Sequence, residues 1–216
     1  RPPEGGFRAT VFDVGQGLAV HVQTARHALL FDAGPPYGPF ADAGERVIVP
    51  ALRAAGVARV DALVLSHGDA DHVGGAASLF AELPVERLWL GADARRRSDI
   101  AADGTACAAG QGWTWDGVRF EFLHPPPGYR ASRRNEGSCV LRVAAVGGTL
   151  LLPGDIGAVS ERQLVARSGG ALASEVVVVP HHGSRGSSTP AFVSATGADH
   201  AIHAVGNLNR YGHPHP

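Results

Sequence analysis

Between Asp61 and Leu83 the chain changes its hydrophobic period around one polar stretch, Ser66-His67-Gly68-Asp69-Ala70-Asp71-His72. Before it, Asp61-Ala62-Leu63-Val64-Leu65 reads as a buried strand, and after it Val73 to Leu83 reads as a helix. A strand that opens into a helix lets side chains converge on one point beyond the sheet. His67 and Asp69 are two apart, so an extended backbone turns both to one side. Asp71 and His72 fall where the helix begins, and Gly74-Gly75 allows close packing there. An ordinary core does not need two imidazoles with two carboxylates, because unpaired buried charge is costly. Ligand-type residues at this spacing point to a metal site. The plain alternative is a solvated loop with incidental histidines.

Two further strand ends carry the same kind of residue. Thr149-Leu150-Leu151-Leu152-Pro153-Gly154-Asp155 ends in a carboxylate, and Val177-Val178-Val179-Pro180-His181-His182-Gly183-Ser184 ends in an imidazole pair. Alone, Asp155 is a turn former after glycine, and His181-His182 is a surface pair. Three such strand ends together reinforce the metal reading.

The order of elements supplies the architecture. Phe7 to Val14, Leu18 to Thr24 and His27 to Phe31 read as strands, with Gly15-Gln16-Gly17 as a tight turn. Gly44 to Ala55 reads as a helix stopped by Gly56. Asp61 to Ser66, the Val73 to Leu83 helix and a Val85 to Leu90 strand follow, then an irregular segment from Gly91 to Gly112. A second series runs through strands at Trp113 to Trp115, Val118 to Leu123, Ser138 to Val146 and Thr149 to Leu152. A helix at Ala158 to Ala166 and strands at Glu175 to Val179 and His200 to Val205 complete it. Two halves of this kind predict an α/β protein, an αββα sandwich with two sheets face to face.

At 216 residues the chain is one large domain or two small ones. No apolar run approaches the roughly 20 residues that span a bilayer, and no signal peptide or lipidation motif stands out. The chain has no Met; we read residues 1–216 as a single soluble domain excised from a longer protein. All 19 basic residues are Arg, and a net charge of −1 argues against a nonspecific nucleic-acid coat. A local phosphate site remains compatible with it. Trp89, Trp113 and Trp115 lie in strand patterns and read as core. Cys107 and Cys139 fit neither a zinc knuckle nor a redox motif; buried thiols and a disulfide are both open.

These residues resemble a known family. His67-Gly68-Asp69-Ala70-Asp71-His72 is similar to the HxHxDH signature of the metallo-β-lactamase superfamily, with Asp69 where the second His usually stands. Phe31-Asp32-Ala33-Gly34 is similar to its early D-x-G turn, Leu151 to Asp155 to its bridging-carboxylate strand, and His181 to Ser184 to its last ligand motif. More narrowly, Asp13 to Gly17, Ser66 to Gly75, Asn135 to Leu141, Pro180 to Ser184 and Asn209 to Pro214 together resemble the C-terminal domain of the ComEC competence proteins. Leu18 departs from that pattern, where an acid is common.

The resemblance implies two divalent metal ions, one on His67, Asp69 and Asp155, the other on Asp71, His72, Asp155 and His181. The third first-site His has no clear counterpart; His124 is the sole His between Val85 and Thr149. Asp71 would also orient the nucleophile, and His182 or His213 would donate a proton. Asn135, Ser138, Ser184 and Arg185 would contact substrate, with Arg133-Arg134 and Arg210 as further phosphate contacts; Arg95-Arg96-Arg97 reads as solvated. The oxygen-rich donor set favours Mn²⁺, with Zn²⁺ as the alternative, and no soluble cofactor is expected.

The function implied is a DNA phosphodiesterase that degrades the non-transported strand during DNA uptake in natural transformation. It would face the periplasm at the inner membrane, with incoming DNA, the membrane channel and other domains of its parent chain as partners. In that oxidising compartment Cys107 and Cys139 are expected to pair and to tie the Gly91–Gly112 segment to the second sheet. The competing readings are a small-ester hydrolase of the phosphorylcholine esterase or lactonase type, and a non-catalytic domain that binds DNA or a partner.

Overall fold

The structure is a computed structural model, described here for residues 1–97, 100, 104–130 and 134–215. The first half runs through β1 (Arg8–Val11), β2 (Val20–Gln23), β3 (Ala28–Phe31), a small hairpin of β4 (Pro36–Gly38) and β5 (Ala41–Asp42), and α1 (Val49–Ala54). It continues with β6 (Ala62–Leu65), α2 (Ala70–Val73), α3 (Ala76–Glu82), β7 (Leu88–Leu90) and β8 (Thr105–Ala106). The second half contains β9 (Gly112–Trp115), β10 (Val118–His124), β11 (Val140–Ala145), β12 (Gly148–Leu152), α4 (Ala158–Ser168), β13 (Val176–Val178), α5 (Pro190–Thr196) and β14 (His200–Ile202).

Two six-stranded sheets result, in the orders β1-β2-β3-β6-β7-β8 and β14-β13-β12-β11-β10-β9. Alternating side chains divide each sheet between two cores. Val20, Leu29, Phe31 and Val64 of the first sheet meet Phe120, Phe122, Leu141 and Leu152 of the second in the central layer. Leu30, Leu63 and Leu65 face outward onto Ile48, Leu52 and Leu79, while Leu151 and Val177 face Leu164 and Phe192 of α4 and α5. This is the expected αββα sandwich. Trp89 and Trp113 stack on each other, half-buried against the central layer.

Three elements differ from expectation. The Gly91–Gly112 segment contributes β8, paired in parallel with β7 through Trp89 and Thr105. The β4–β5 hairpin is too short to leave a period. Helix α5 lies outside the expected elements, although Thr189 caps it by accepting from Phe192 N and Pro190 opens it.

Cys107 and Cys139 form a disulfide with Cα atoms 6.0 Å apart. Because Cys107 directly follows β8, the bridge joins the two sheets rather than a loose segment to one sheet. Cys139 N also donates to Ser66 O at 2.9 Å, so the crosslink lies directly behind the His67 loop.

A second seam closes the opposite end. Asp116 and Gly117 both have positive φ in the two-residue turn between β9 and β10. The buried Asp116 carboxylate accepts from Thr24 Oγ1 (2.6 Å), Arg26 N (2.7 Å) and His27 Nδ1 (3.0 Å), all in the β2–β3 turn of the other sheet. Burial pushes its pKa up, but the bonds from Thr24, His27 and Arg26 outweigh that and hold it below the ordinary carboxylate range. The unfolded chain therefore takes up the proton first. The stabilisation is complete above about pH 4 and fades as pH falls below it. Asp116→Ala should lose about 2 kcal/mol of stability at pH 7, and the gap to wild type should narrow in acid. Urea denaturation at several pH values checks both; a gap that widens in acid would refute the assignment.

Candidate metal centre

Strand direction brings the ligand-type residues to one edge of the sandwich. Asp32 follows β3, His67 to His72 follow β6, Asp155 follows β12, and His181-His182 follow β13. Asn135 and Ser138 lie in the turn before β11, and the loop after β14 returns across the same edge. Gly74 and Gly75 permit this convergence as expected: a Cβ on Gly75 would collide with Gly44 N and Ala33 O.

The Asp155 carboxylate lies at the centre. Its Oδ2 is 3.8 Å from Nε2 of His67, 3.8 Å from that of His181 and 3.7 Å from that of His182. Its Oδ1 is 3.2 Å from His72 Nε2. His182 Nε2 is also 3.2 Å from His72 Nε2 and 3.4 Å from Asp71 Oδ2. Asp69 Oδ2 stands 3.7 Å from His67 Nε2.

Hydrogen bonds on the far side of each ring set its tautomer. Asp32, held at φ 60 and fully buried, accepts from Ser66 N (2.6 Å), Ser66 Oγ (2.7 Å) and His72 Nδ1 (2.7 Å). A carboxylate only accepts, so His72 carries its proton on Nδ1. Ser66 Oγ, donating to Asp32, is left to accept from His67 Nδ1 at 3.0 Å. His182 Nδ1 donates to Ala204 O at 2.7 Å. Three imidazoles thus turn Nε2 lone pairs toward one point, the ligating form fixed by outer hydrogen bonds.

That arrangement calls for a cation. His67 Nε2 is buried with no hydrogen-bond partner, and His72 and His182 aim lone pairs at each other. Donors about 2.1 Å from a shared ion stand roughly 3–4 Å apart, the spacing present here. The groups His67-His72-Asp155 and Asp71-His72-His182 are each compact enough to surround an ion. Without a metal, protons must serve. Burial disfavours charge on His72, but Asp155 and Asp32 outweigh it and raise its pKa well above the ordinary value. Burial and then His72 hold His67 down to about 4. Burial would raise Asp155, yet His72, His182 and His67 hold it far below the usual range. The donor set therefore fits divalent ions.

His182, rather than His181, stands in the group with Asp71 and His72. His182 is buried with both nitrogens engaged, so it is not free to donate a proton to substrate. His181, its side chain 33% exposed, stands by Asp155 with Asn135 Nδ2 at 3.4 Å from its Nε2. His181, His182 and Gly183 all have positive φ. Such a backbone turn aims neighbouring side chains in ways that strand alternation does not foretell.

Asp69, Asp71, Asn135, Asp155, His181, His182 and His213 line one cleft of about 180 Å³ with Gln16 and Tyr211. Ser138 is buried behind it, its hydroxyl donating to Asn135 O and accepting from Asp155 N, so it supports the site rather than touching substrate. Ser184 Oγ accepts from Gly186 N, and Arg185 is exposed; neither lines the cleft. Arg134 lies 3.8 Å from Asp69, Arg97 donates to Gly68 O in the ligand loop, and Arg133 is outside the described residues. His124 does not line the cleft: it donates to Glu136 O and accepts from Arg167, steadying the turn that carries Asn135. Leu18, the departure from the family pattern, joins the central core and donates its N–H to Asp71 O.

The central role of Asp32 was not legible in its sequence motif alone. Asp32→Asn would set an amide N–H against donors from Ser66 or His72. Metal affinity should fall roughly 10–100-fold, measured by chelator competition; an unchanged affinity would refute its orienting role.

Comparison with known proteins agrees with this geometry. The metallo-beta-lactamase superfamily profile matches residues 12–206. Competence protein ComA of Neisseria gonorrhoeae is 42% identical over 98% of this chain, which spans 29% of that protein. Recombination protein 2 of Haemophilus influenzae is 33% identical over 97% of the chain, which spans 25% of it. The chain therefore spans less than a third of either relative. Among solved structures, the subclass B3 metallo-beta-lactamase MEM-A1 from a soil metagenome has a TM-score of 0.61 at 15% identity, covering 84% of this chain and 80% of its own. YhfI of Bacillus subtilis, a metallo-beta-lactamase fold protein, has a TM-score of 0.58 at 15% identity, covering 94% and 88%.

Proposed function

This chain belongs to the metallo-β-lactamase superfamily and resembles the ComEC competence proteins along almost its whole length, and we propose that it is a two-metal hydrolase of DNA phosphodiesters acting in DNA uptake. The observation that carries the hydrolase reading is the buried, unpartnered Nε2 of His67 among convergent lone pairs and carboxylates. The DNA substrate rests on the competence relatives. Removal of the non-transported strand, at the periplasmic face of the inner membrane and beside other domains of a parent chain, is the finer form of the same proposal. No helix among the described residues is long and apolar enough to cross a membrane.

His67, Asp69 and Asp155, with His181 at the edge, would hold one ion; Asp71, His72, His182 and Asp155 would hold the other. Two divalent ions supply charge neutralisation at phosphorus and activation of water near neutral pH. Asp155 would shield both positive sites. Asp71 faces the cleft and is suited to orient an attacking water. His213, half-buried and lining the cleft, is placed to exchange a proton with substrate oxygen. Asn135 offers its amide to a phosphoryl oxygen.

Asp155→Ala should lose at least one ion and lower cleavage by at least roughly a hundredfold. The comparison uses end-labelled single- and double-stranded DNA with Mn²⁺, alongside metal analysis. Equal cleavage by wild type and variant would expose a contaminating nuclease. No cleavage by either with metals bound would favour a small-ester hydrolase or a binding domain.

Asp69 and Asp71 raise the oxygen share of the donors, which suits Mn²⁺ better than a nitrogen-rich site does. Activity should be higher with Mn²⁺ than with Zn²⁺ at matched occupancy. Full activity with Zn²⁺ and indifference to Mn²⁺ would overturn that preference.

A further inference from the structure

The loop after β14 is pinned to both walls of the cleft. Gly206 N donates to Gln16 Oε1 at 3.1 Å, and His215 N donates to Gly183 O at 2.9 Å. Between these anchors one side chain organises the turn. Asn209 Nδ2 donates to Gly206 O (3.0 Å) and His213 O (2.7 Å), while its Oδ1 accepts from Tyr211 N (3.2 Å) and His213 N (3.0 Å). A loop tied this way presents residues 210–213 in a set arrangement.

What it presents is a run of rings leading out from the metal ligands. His213 lies 6.4 Å from His182 with planes 18° apart, and Tyr211 lies 5.6 Å from His213 at 24°. At the outer end the Arg210 guanidinium carbon is 4.8 Å from the Tyr211 centroid, with an N–H donating to Tyr211 Oη at 2.6 Å. Tyr211 is 48% exposed although it lines the cleft. Packing does not require an aromatic ring left half in water there.

The size of the cleft gives that ring a use. At about 180 Å³ it is below the roughly 300–1,000 Å³ typical of pockets that enclose a whole small molecule. A phosphodiester can enter, while an attached base must lie at the mouth. Tyr211 is the one Phe, Tyr or Trp in the lining among the described residues. Arg210 adds a planar cation that can stack on a base or meet a neighbouring phosphate.

Resting on the hydrolase reading above, we propose that Tyr211 is a stacking platform for the nucleobase beside the phosphodiester in the cleft, with Arg210 next to it as a contact to the strand's phosphate. The substrate class is then a single-stranded or unstacked nucleic acid, bound without base preference because every base has a π face. Arg210 contributes affinity for the strand whether or not a base is present.

The test measures fluorescence anisotropy of labelled oligothymidine and of the same strand with abasic residues, using the protein as purified with its metal content measured. Wild type and Tyr211→Phe should bind the base-bearing strand roughly tenfold more tightly than the abasic one. Tyr211→Ala should bind both alike, and Arg210→Gln should weaken both alike with a salt slope lower by about one. A preference that survives in Tyr211→Ala, no preference in wild type, or no measurable binding of either strand would overturn the platform. Cleavage with Mn²⁺ is read separately on the same strands. Base preference without cleavage would sink the hydrolase reading and keep the platform, while cleavage without preference would sink the platform alone.

Discussion

One carboxylate surrounded by four imidazoles sets the terms for this edge of the molecule. Asp155 lies within 3.2–3.8 Å of Nε2 on His67, His72, His181 and His182. Such crowding is tolerable only if something positive balances it, because lone pairs and a buried anion otherwise repel. The tautomers imposed by Asp32, Ser66 and Ala204 reserve the inner nitrogens for a cation. The site is thus arranged for ions by groups that never touch them.

The cleft is also a seam. One wall comes from the first sheet and the other from the second, so ligand geometry depends on how the sheets meet. A backbone bond crosses that seam close to the ligands, from Cys139 N to Ser66 O, while Leu18 N to Asp71 O steadies the first wall and His181 N to Gly154 O the second. Ser138 adds a side-chain link to Asp155 N. Small displacements between the sheets would therefore reach the donors directly.

Much of this was legible because periodicity and ligand chemistry coincide. The strand before His67 and the helix after it declare themselves through a change of period, and Asp155 and His181-His182 follow strongly apolar runs. The sandwich and the convergent strand ends follow from those patterns. The two-residue β8 and the β4–β5 hairpin were too short to show alternation. Helix α5 carried readable Thr189-Pro190 signals but weak apolar spacing. The order of His181 and His182 was hidden because consecutive left-handed residues invert the sense of inward and outward. Arg185 looked well placed by adjacency in sequence, yet the chain turns it out of the cleft, while Tyr211 arrives from a distant loop.

The covalent link between Cys107 and Cys139 closes a ring of chain that contains β9, β10 and the Asn135 turn. The two sheets have no other covalent connection besides the backbone itself. A single proteolytic nick inside that ring therefore leaves one continuous molecule, with both walls of the cleft still tethered behind the His67 loop. The same nick after reduction yields two fragments held only by non-covalent contacts, so the bridge makes the cleft's integrity independent of an unbroken main chain across that stretch.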